Sequence, residues 1–214
     1  METTTRTERR KPKSRVGILG GSFNPIHTGH LILAQSAVEA LELSTVLFIP
    51  CAIPPHKSAA SLIAAEHRLA MVQAAIEGDF RFEASDIEIA RGGISYAVET
   101  VAQLYPIHPG AELCFIIGAD TLRELHSWKD IYSLLRLCRF VTFSRPGTSL
   151  QEVTQDSLRL DPPWPERLIA DVVAGRQIDI SSSDIRHRAA EGMSIRYLVP
   201  EAVEMYIAEH RLYE

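Results

Sequence analysis

Between an apolar run, Val16-Gly17-Ile18-Leu19, and an amphipathic run over residues 31–43 lies Gly20-Gly21-Ser22-Phe23-Asn24-Pro25-Ile26-His27-Thr28-Gly29-His30. No other stretch constrains the fold as strongly. A strand that passes through a glycine-rich loop into a helix is a common way to build a phosphate cradle. The backbone N–H groups and the macrodipole at the helix start both favour an anion. Two histidines three residues apart point their rings to one side of a helix. Placed there, two imidazole donors suit a polyphosphate whose charge grows during reaction. The spacing Gly17-x-x-Gly20-Gly21 is not the GxGxxG of dinucleotide binding, and the lysine of a P-loop is missing. A zinc site needs a third ligand, which no neighbouring Cys or carboxylate supplies. A plain tight turn would not need both rings on one face.

The rest of the chain alternates short apolar runs with helical ones. Strands are expected over residues 46–50, near 80–82, and over 113–117, 139–144 and 178–180. Helices are expected from 28 or 29 to 43, over 66–77 and from Ser95, as N-cap, to 105. Short ones are expected over 119–125 and 128–135, and closing ones over 183–191 and 201–210. Pro54-Pro55-His56-Lys57 begins a loop, and residues 147–165 read as a loop or insertion. Strands alternating with helices predict an α/β fold with a doubly wound parallel sheet. One domain is expected over residues 16–214. The polar segment 1–15 reads as a disordered tail with no apolar signal region.

Composition narrows the class. The net charge of −5 speaks against a nucleic-acid or membrane surface. No apolar run approaches the ~20 residues that span a bilayer. Cys51, Cys114 and Cys138 are odd in number with apolar neighbours, and no CxxC pair is present. They read as buried thiols of a reducing, cytoplasmic compartment.

A second constellation, Ile180-Ser181-Ser182-Ser183-Asp184-Ile185-Arg186, again precedes a helix. Hydroxyls and exposed N–H groups bind phosphate oxygens, and Ser183 is a candidate cap. Arg186 returns a guanidinium to the same end. A run of serines alone is equally well explained by capping. Paired with the first loop, it supplies a second wall for one polyphosphate.

The two motifs together resemble the nucleotidylyltransferase superfamily, marked by a GGxFxPxHxGH loop and a later ISSTxxR-type loop. Pro54-Pro55-His56-Lys57, Ser95-Tyr96 and Gly118-Ala119-Asp120 followed by Trp128 narrow the likeness to bacterial nicotinate-nucleotide adenylyltransferases. It covers residues 16–213. Ala97 stands where that family often has Thr, and Lys129 where an aromatic is common. The resemblance implies a Rossmann-like nucleotidylyltransferase fold and a chain that joins ATP to nicotinate mononucleotide. His27, His30 and the backbone of Gly20, Gly21, Ser22, Phe23 and Asn24 would hold the ATP phosphates, with Ser181, Ser182 and Ser183. Lys57 and Arg186 would neutralise charge, and His56 stands beside Lys57. Gly118 and Asp120 would reach the adenosine ribose. Tyr96, Ala97 and Trp128 would bind the pyridine nucleotide. Mg²⁺ would arrive bound to ATP, with no protein metal site. A homo-oligomer stays open. So do transfer to another phosphate acceptor, such as phosphopantetheine, and a non-catalytic nucleotide-binding regulator.

Overall fold

The computed structural model describes residues 14–55, 62–144, 153–176 and 178–214. The expected tail falls almost entirely outside the described residues, as do His56 and Lys57.

Six parallel strands form one sheet among the described residues: β1 (Arg15–Gly21), β2 (Thr45–Pro50), β3 (Phe82–Ala84), β4 (Glu112–Gly118), β5 (Arg139–Phe143) and β6 (Val172–Val173). Their order is β3-β2-β1-β4-β5-β6. The chain moves outward from β1 to β3, then returns to pair β4 against the other side of β1. That reversal between β1 and β4 is where open α/β sheets bind ligands, beyond the carboxyl ends of the strands.

The central strands are apolar throughout because helices cover both faces. Their side chains divide with period two. Leu19, Val46, Phe48, Cys114 and Ile116 face one cluster. There they meet Ala34, Ala37 and Leu41 of α1 (Thr28–Leu41) and Met71 and Val72 of α2 (Ala65–Ile76). The same cluster takes in Ile185 of α8 (Ser182–Ala190) and Val203 and Ile207 of α9 (Glu201–Glu209). Val16, Ile18, Leu47, Ile49, Phe115 and Ile117 face the other. That face is covered by α4 (Ala97–Ile107), α5 (Ala119–Leu122), α6 (Ile131–Leu137) and α7 (Trp164–Ala170), whose Leu104, Leu122, Leu134 and Leu168 are buried. A five-residue helix, α3 (Ile87–Arg91), precedes α4. The doubly wound expectation holds. Among the described residues no helix is long and apolar enough to cross a membrane.

Several elements differ from expectation. Residues 178–180 form no strand; the sixth strand is Val172–Val173, five residues earlier. The apolar character of Ile180 serves packing against the α1 side of the core instead. α7 occupies part of the expected loop, and its Pro165 sits in the first turn, where a missing N–H costs nothing. β3 begins two residues late and leaves Phe80 exposed. Ser95 does not cap α4. Tyr96 takes the N-cap position, and the Ser95 hydroxyl accepts the Ala52 N–H at 2.9 Å. Ser181, not Ser183, caps α8, accepting the Asp184 N–H at 3.1 Å.

Gly17 is a packing residue. A Cβ there would lie 2.8 Å from Leu43 Cδ1, 3.0 Å from Ile116 Cδ1 and 3.1 Å from Val46 Cγ2. Gly17→Val should therefore destabilise the fold by about 1–3 kcal/mol through overpacking. Urea unfolding should show a lower midpoint at unchanged slope; an unchanged midpoint would mean the core has room to spare.

Candidate active site

The glycine-rich loop leaves β1 and enters α1 at the sheet's reversal point. Phe23 anchors it from inside. Its backbone is left-handed, φ 44°, and its ring is buried edge-on against His30, with centroids 5.1 Å apart. His27 is the N-cap of α1. Its own N–H donates to His30 Nδ1 at 3.2 Å, and the two rings stack with centroids 3.7 Å apart. A neutral His30 that accepts at Nδ1 carries its proton on Nε2.

The loop's carbonyls are drawn away from the open side. Arg68 of α2, 1% exposed, donates to Ser22 O at 2.8 Å, Ala52 O at 3.1 Å and Ile63 O at 3.2 Å. Arg186 of α8 donates to Asn24 O at 2.8 Å and to Ser183 Oγ at 3.2 Å. The Ser182 hydroxyl donates to Pro25 O at 2.9 Å. The Tyr213 hydroxyl donates to Asn24 Oδ1 at 3.0 Å. The two motifs, some 160 residues apart in sequence, are thus directly bonded to each other.

A cleft of about 310 Å³ opens beside the loop. Gly20, Gly21, Ser22 and His30 form one wall, Gly118 the floor, and Tyr96, Ala97 and Trp128 the other wall. Trp128 is held edge-on by Phe115 and Phe140, at 5.8 and 6.1 Å. α4 starts at Ala97, and its first bonds run from the N–H groups of Glu99 and Thr100 to Tyr96 O. The N–H groups of Ala97 and Val98 come before that ladder. Lys129 lies over the Tyr96 ring at 4.0 Å and bonds Glu99 at 2.7 Å. That contact holds the Glu99 carboxyl below its ordinary range. Glu88, buried in the same cleft, is pushed up by desolvation, against hydrogen bonds from Thr100 and Ser95.

Of the residues singled out from the sequence, the structure therefore gathers Gly20, Gly21, Ser22, His30, Tyr96, Ala97, Gly118 and Trp128 around one cleft. Phe23 and Asn24 are buried beneath the loop instead of facing the opening. His27, 6% exposed, lies behind His30. Ser182 and Arg186 bond the loop from the α8 side, while Ser183 accepts from Arg186 and Ser181 caps α8. Asp120 is exposed in the first turn of α5, outside the cleft wall. Sequence reasoning missed Arg68, Glu88 and Tyr213. Arg68 had a signal: it lies on the apolar stripe of α2 with Met71, Val72 and Ile76. Tyr213 had none.

The three cysteines are buried as expected, and desolvation pushes the Cys114 thiol up to about 11. Among the described residues no group of three or more His, Cys, Asp or Glu is placed to hold a metal ion.

Arg68→Met should strip three carbonyls of their donor while filling the space. The acceptors are part-buried, so each unsatisfied carbonyl costs the low end of the usual range, about 1 kcal/mol, and Tm should fall by roughly 6–12 °C. A melting temperature within 2 °C of the parent would show that the loop carries itself.

Comparison with known proteins agrees with this geometry. The Cytidylyltransferase-like family profile matches residues 18–188. A Desulfitobacterium hafniense (strain DSM 10664 / DCB-2) protein named "Probable nicotinate-nucleotide adenylyltransferase" is 42% identical over 203 residues, covering 94% of this chain and 97% of that protein. One of the same name from Geobacter sp. (strain M21) is 43% identical over 211 residues, covering 93% and 98%. Among solved structures, Plasmodium falciparum nicotinic acid mononucleotide adenylyltransferase complexed with NaAD superposes with a TM-score of 0.71 at 19% identity, covering 94% of this chain and 97% of that one. At that identity the likeness speaks for the fold. The sequence relatives speak for more: the chain belongs to the nicotinate-nucleotide adenylyltransferase family, within the cytidylyltransferase-like proteins.

Proposed function

We propose that the chain transfers the adenylyl group of ATP to nicotinate mononucleotide, giving nicotinate adenine dinucleotide and pyrophosphate in NAD biosynthesis. One observation carries the reading: the Gly20–His30 loop and the Ser181–Arg186 segment are bonded together beside a cleft walled by Tyr96, Ala97 and Trp128. The family relationship supports it.

In the reaction an oxygen of the mononucleotide phosphate attacks the α-phosphorus of ATP. The bond from that phosphorus to the bridging oxygen breaks, and its electrons leave with pyrophosphate. The second pKa of a phosphate monoester is near 6, so the nucleophile is already ionised at pH 7. No protein base is required. The residues have two tasks: alignment of two anions, and stabilisation of charge on the transferred and leaving groups. The N–H groups of Gly21 and Ser22, the Nε2–H of His30 and the guanidinium of Arg186 take the triphosphate in this reading. His27 orients His30. The hydroxyls of Ser181, Ser182 and Ser183 border the same anion. Gly118 and Asp120 receive the ribose, and His56 and Lys57 serve the mononucleotide, Lys57 by neutralising charge. Mg²⁺ enters as part of the ATP substrate, held by phosphate oxygens and water. The donors facing the loop are N–H groups, imidazole and guanidinium, which fit phosphate and not a resident cation. The three buried thiols favour a cytoplasmic setting. The single domain proposed over residues 16–214 also takes in Arg15, which opens β1.

On the acceptor side the pyridine ring lies against Trp128. Its carboxylate accepts from the N–H groups that open α4, where the helix dipole adds to the attraction. A charge-assisted bond is worth about 1.5–3 kcal/mol. The acid should then be preferred over nicotinamide mononucleotide by at least roughly tenfold. A pyrophosphate-release assay with ATP and nicotinate mononucleotide, nicotinamide mononucleotide or phosphopantetheine measures this directly. Turnover greatest with phosphopantetheine would identify another acceptor. No release with any acceptor would leave a nucleotide-binding regulator.

His30→Ala should lower kcat about 10²–10³-fold, the usual loss for one donor facing developing charge. Its effect on the KM for the mononucleotide should be small. Turnover within a few-fold of the parent enzyme would remove His30 from the chemistry.

A further inference from the structure

Tyr213 is the second-last residue of the sequence and lies beyond the segment that matches the family profile. It is nonetheless bonded to the phosphate loop, across 189 residues of sequence. After α9 the chain does not run off into solvent. The Leu212 N–H returns to Ile207 O at 3.0 Å, and the Leu212 side chain is buried in the core beneath α1. Arg211 and Tyr213 both take left-handed backbone, φ 49° and 70°. Non-glycine residues rarely hold that conformation unless their surroundings impose it. Here it turns the phenol inward.

The phenol meets a specific partner. Asn24 is 2% exposed, and its Oδ1 accepts the Tyr213 O–H. The backbone oxygen of the same Asn24 accepts Nη1 of Arg186. One residue of the loop therefore links the tyrosine to the guanidinium. Arg186 and Arg68 are both close enough to exert a field on the phenol. Burial outweighs that field and raises the phenol's pKa, so the oxygen keeps the proton it donates.

We propose that Tyr213 is a positioning residue of the phosphate loop. Its hydroxyl fixes the Asn24 side chain and, through Asn24, the loop carbonyl against which Arg186 is aimed at the triphosphate. The proposal deepens the reading of this loop as the ATP triphosphate site and rests on it. Tyr213 does not line the cleft and touches no reacting atom in this scheme. Its effect passes entirely through Asn24.

Tyr213→Phe removes one oxygen and keeps the ring. The variant should melt within about 3 °C of the parent and keep its KM for the mononucleotide within twofold. Its kcat/KM for ATP should fall about fivefold, the scale of one neutral hydrogen bond. Affinity for α,β-methylene-ATP, measured by calorimetry, should fall in step. In an Asn24→Ala background, Tyr213→Phe should cause no further loss, because the two groups act as one unit. Removal of Glu214 alone should change nothing, whereas removal of both last residues should repeat the Tyr213→Phe effect or exceed it. Unchanged ATP kinetics in Tyr213→Phe would overturn the proposal. So would an equal further loss in the Asn24→Ala background, or a loss shared evenly by both substrates and matched by a fall in melting temperature. The calorimetric arm involves no acceptor. Failure of nicotinate mononucleotide as acceptor is therefore read from the parent enzyme, separately from the fate of Tyr213.

Discussion

The loop between β1 and α1 can present N–H groups outward only because its carbonyls are held inward. A peptide unit points its two polar ends in opposite directions. Binding the oxygen therefore aims the nitrogen. Ser22 and Pro25 each surrender a carbonyl to a donor from another part of the chain, Arg68 on α2 and Ser182 on α8, which sets the N–H of the residue that follows; Asn24 O accepts Arg186 of α8, but its peptide unit ends in the Pro25 nitrogen and carries no N–H. None of these donors is near the loop in sequence. The parallel sheet and the two helical layers are what bring them to it. The fold's central requirement is thus met at the place where β1 pairs on both sides, with β2 and β4.

The same arrangement fixes the local charge. The chain as a whole carries −5, yet its loop is backed by two guanidiniums whose hydrogen bonds go to carbonyls. Among the described residues no carboxylate forms an ion pair with Arg68. A buried cation without a counter-ion is costly, and three carbonyl dipoles defray only part of that. On the opposite wall the balance differs. Glu99 sits in the first turn of α4, where it would repel a ligand carboxylate. Lys129 at 2.7 Å and Arg91 at 3.8 Å offset it. Lys129 thus covers the Tyr96 face and neutralises the acid beside it.

Much of this was legible from residue order. The glycine-rich loop, the His27/His30 pair and the Ser181–Arg186 run were local patterns, and local patterns survive in sequence. So did the alternation of buried strands and helices, because strands covered on both faces must be apolar throughout. What escaped depended on distance. Ser95 looked like a cap because its position preceded a helix; the Ala52 N–H claimed its hydroxyl instead. The 178–180 run looked like a strand because packing against α1 and strand pairing demand the same apolar residues. For Asn24 only the backbone was read as a phosphate contact; the partner of its side chain, a tyrosine near the end of the sequence, left no local pattern. Roles set by a partner 160 or more residues away leave no periodicity to read.

The start of α4 has a consequence for how this pocket can change. Its free donors belong to the main chain at Ala97 and Val98, and any amino acid but proline supplies them. A carboxylate site at this helix start would be specified by dihedral angles, not by side-chain identity. Drift at position 97 to any residue but proline leaves the donors in place. A small acid designed to seat its carboxylate there would meet atoms that ordinary point substitutions cannot delete. Escape would have to come through the geometry of the helix itself, which the Thr100, Glu88 and Ser95 bonds hold in position.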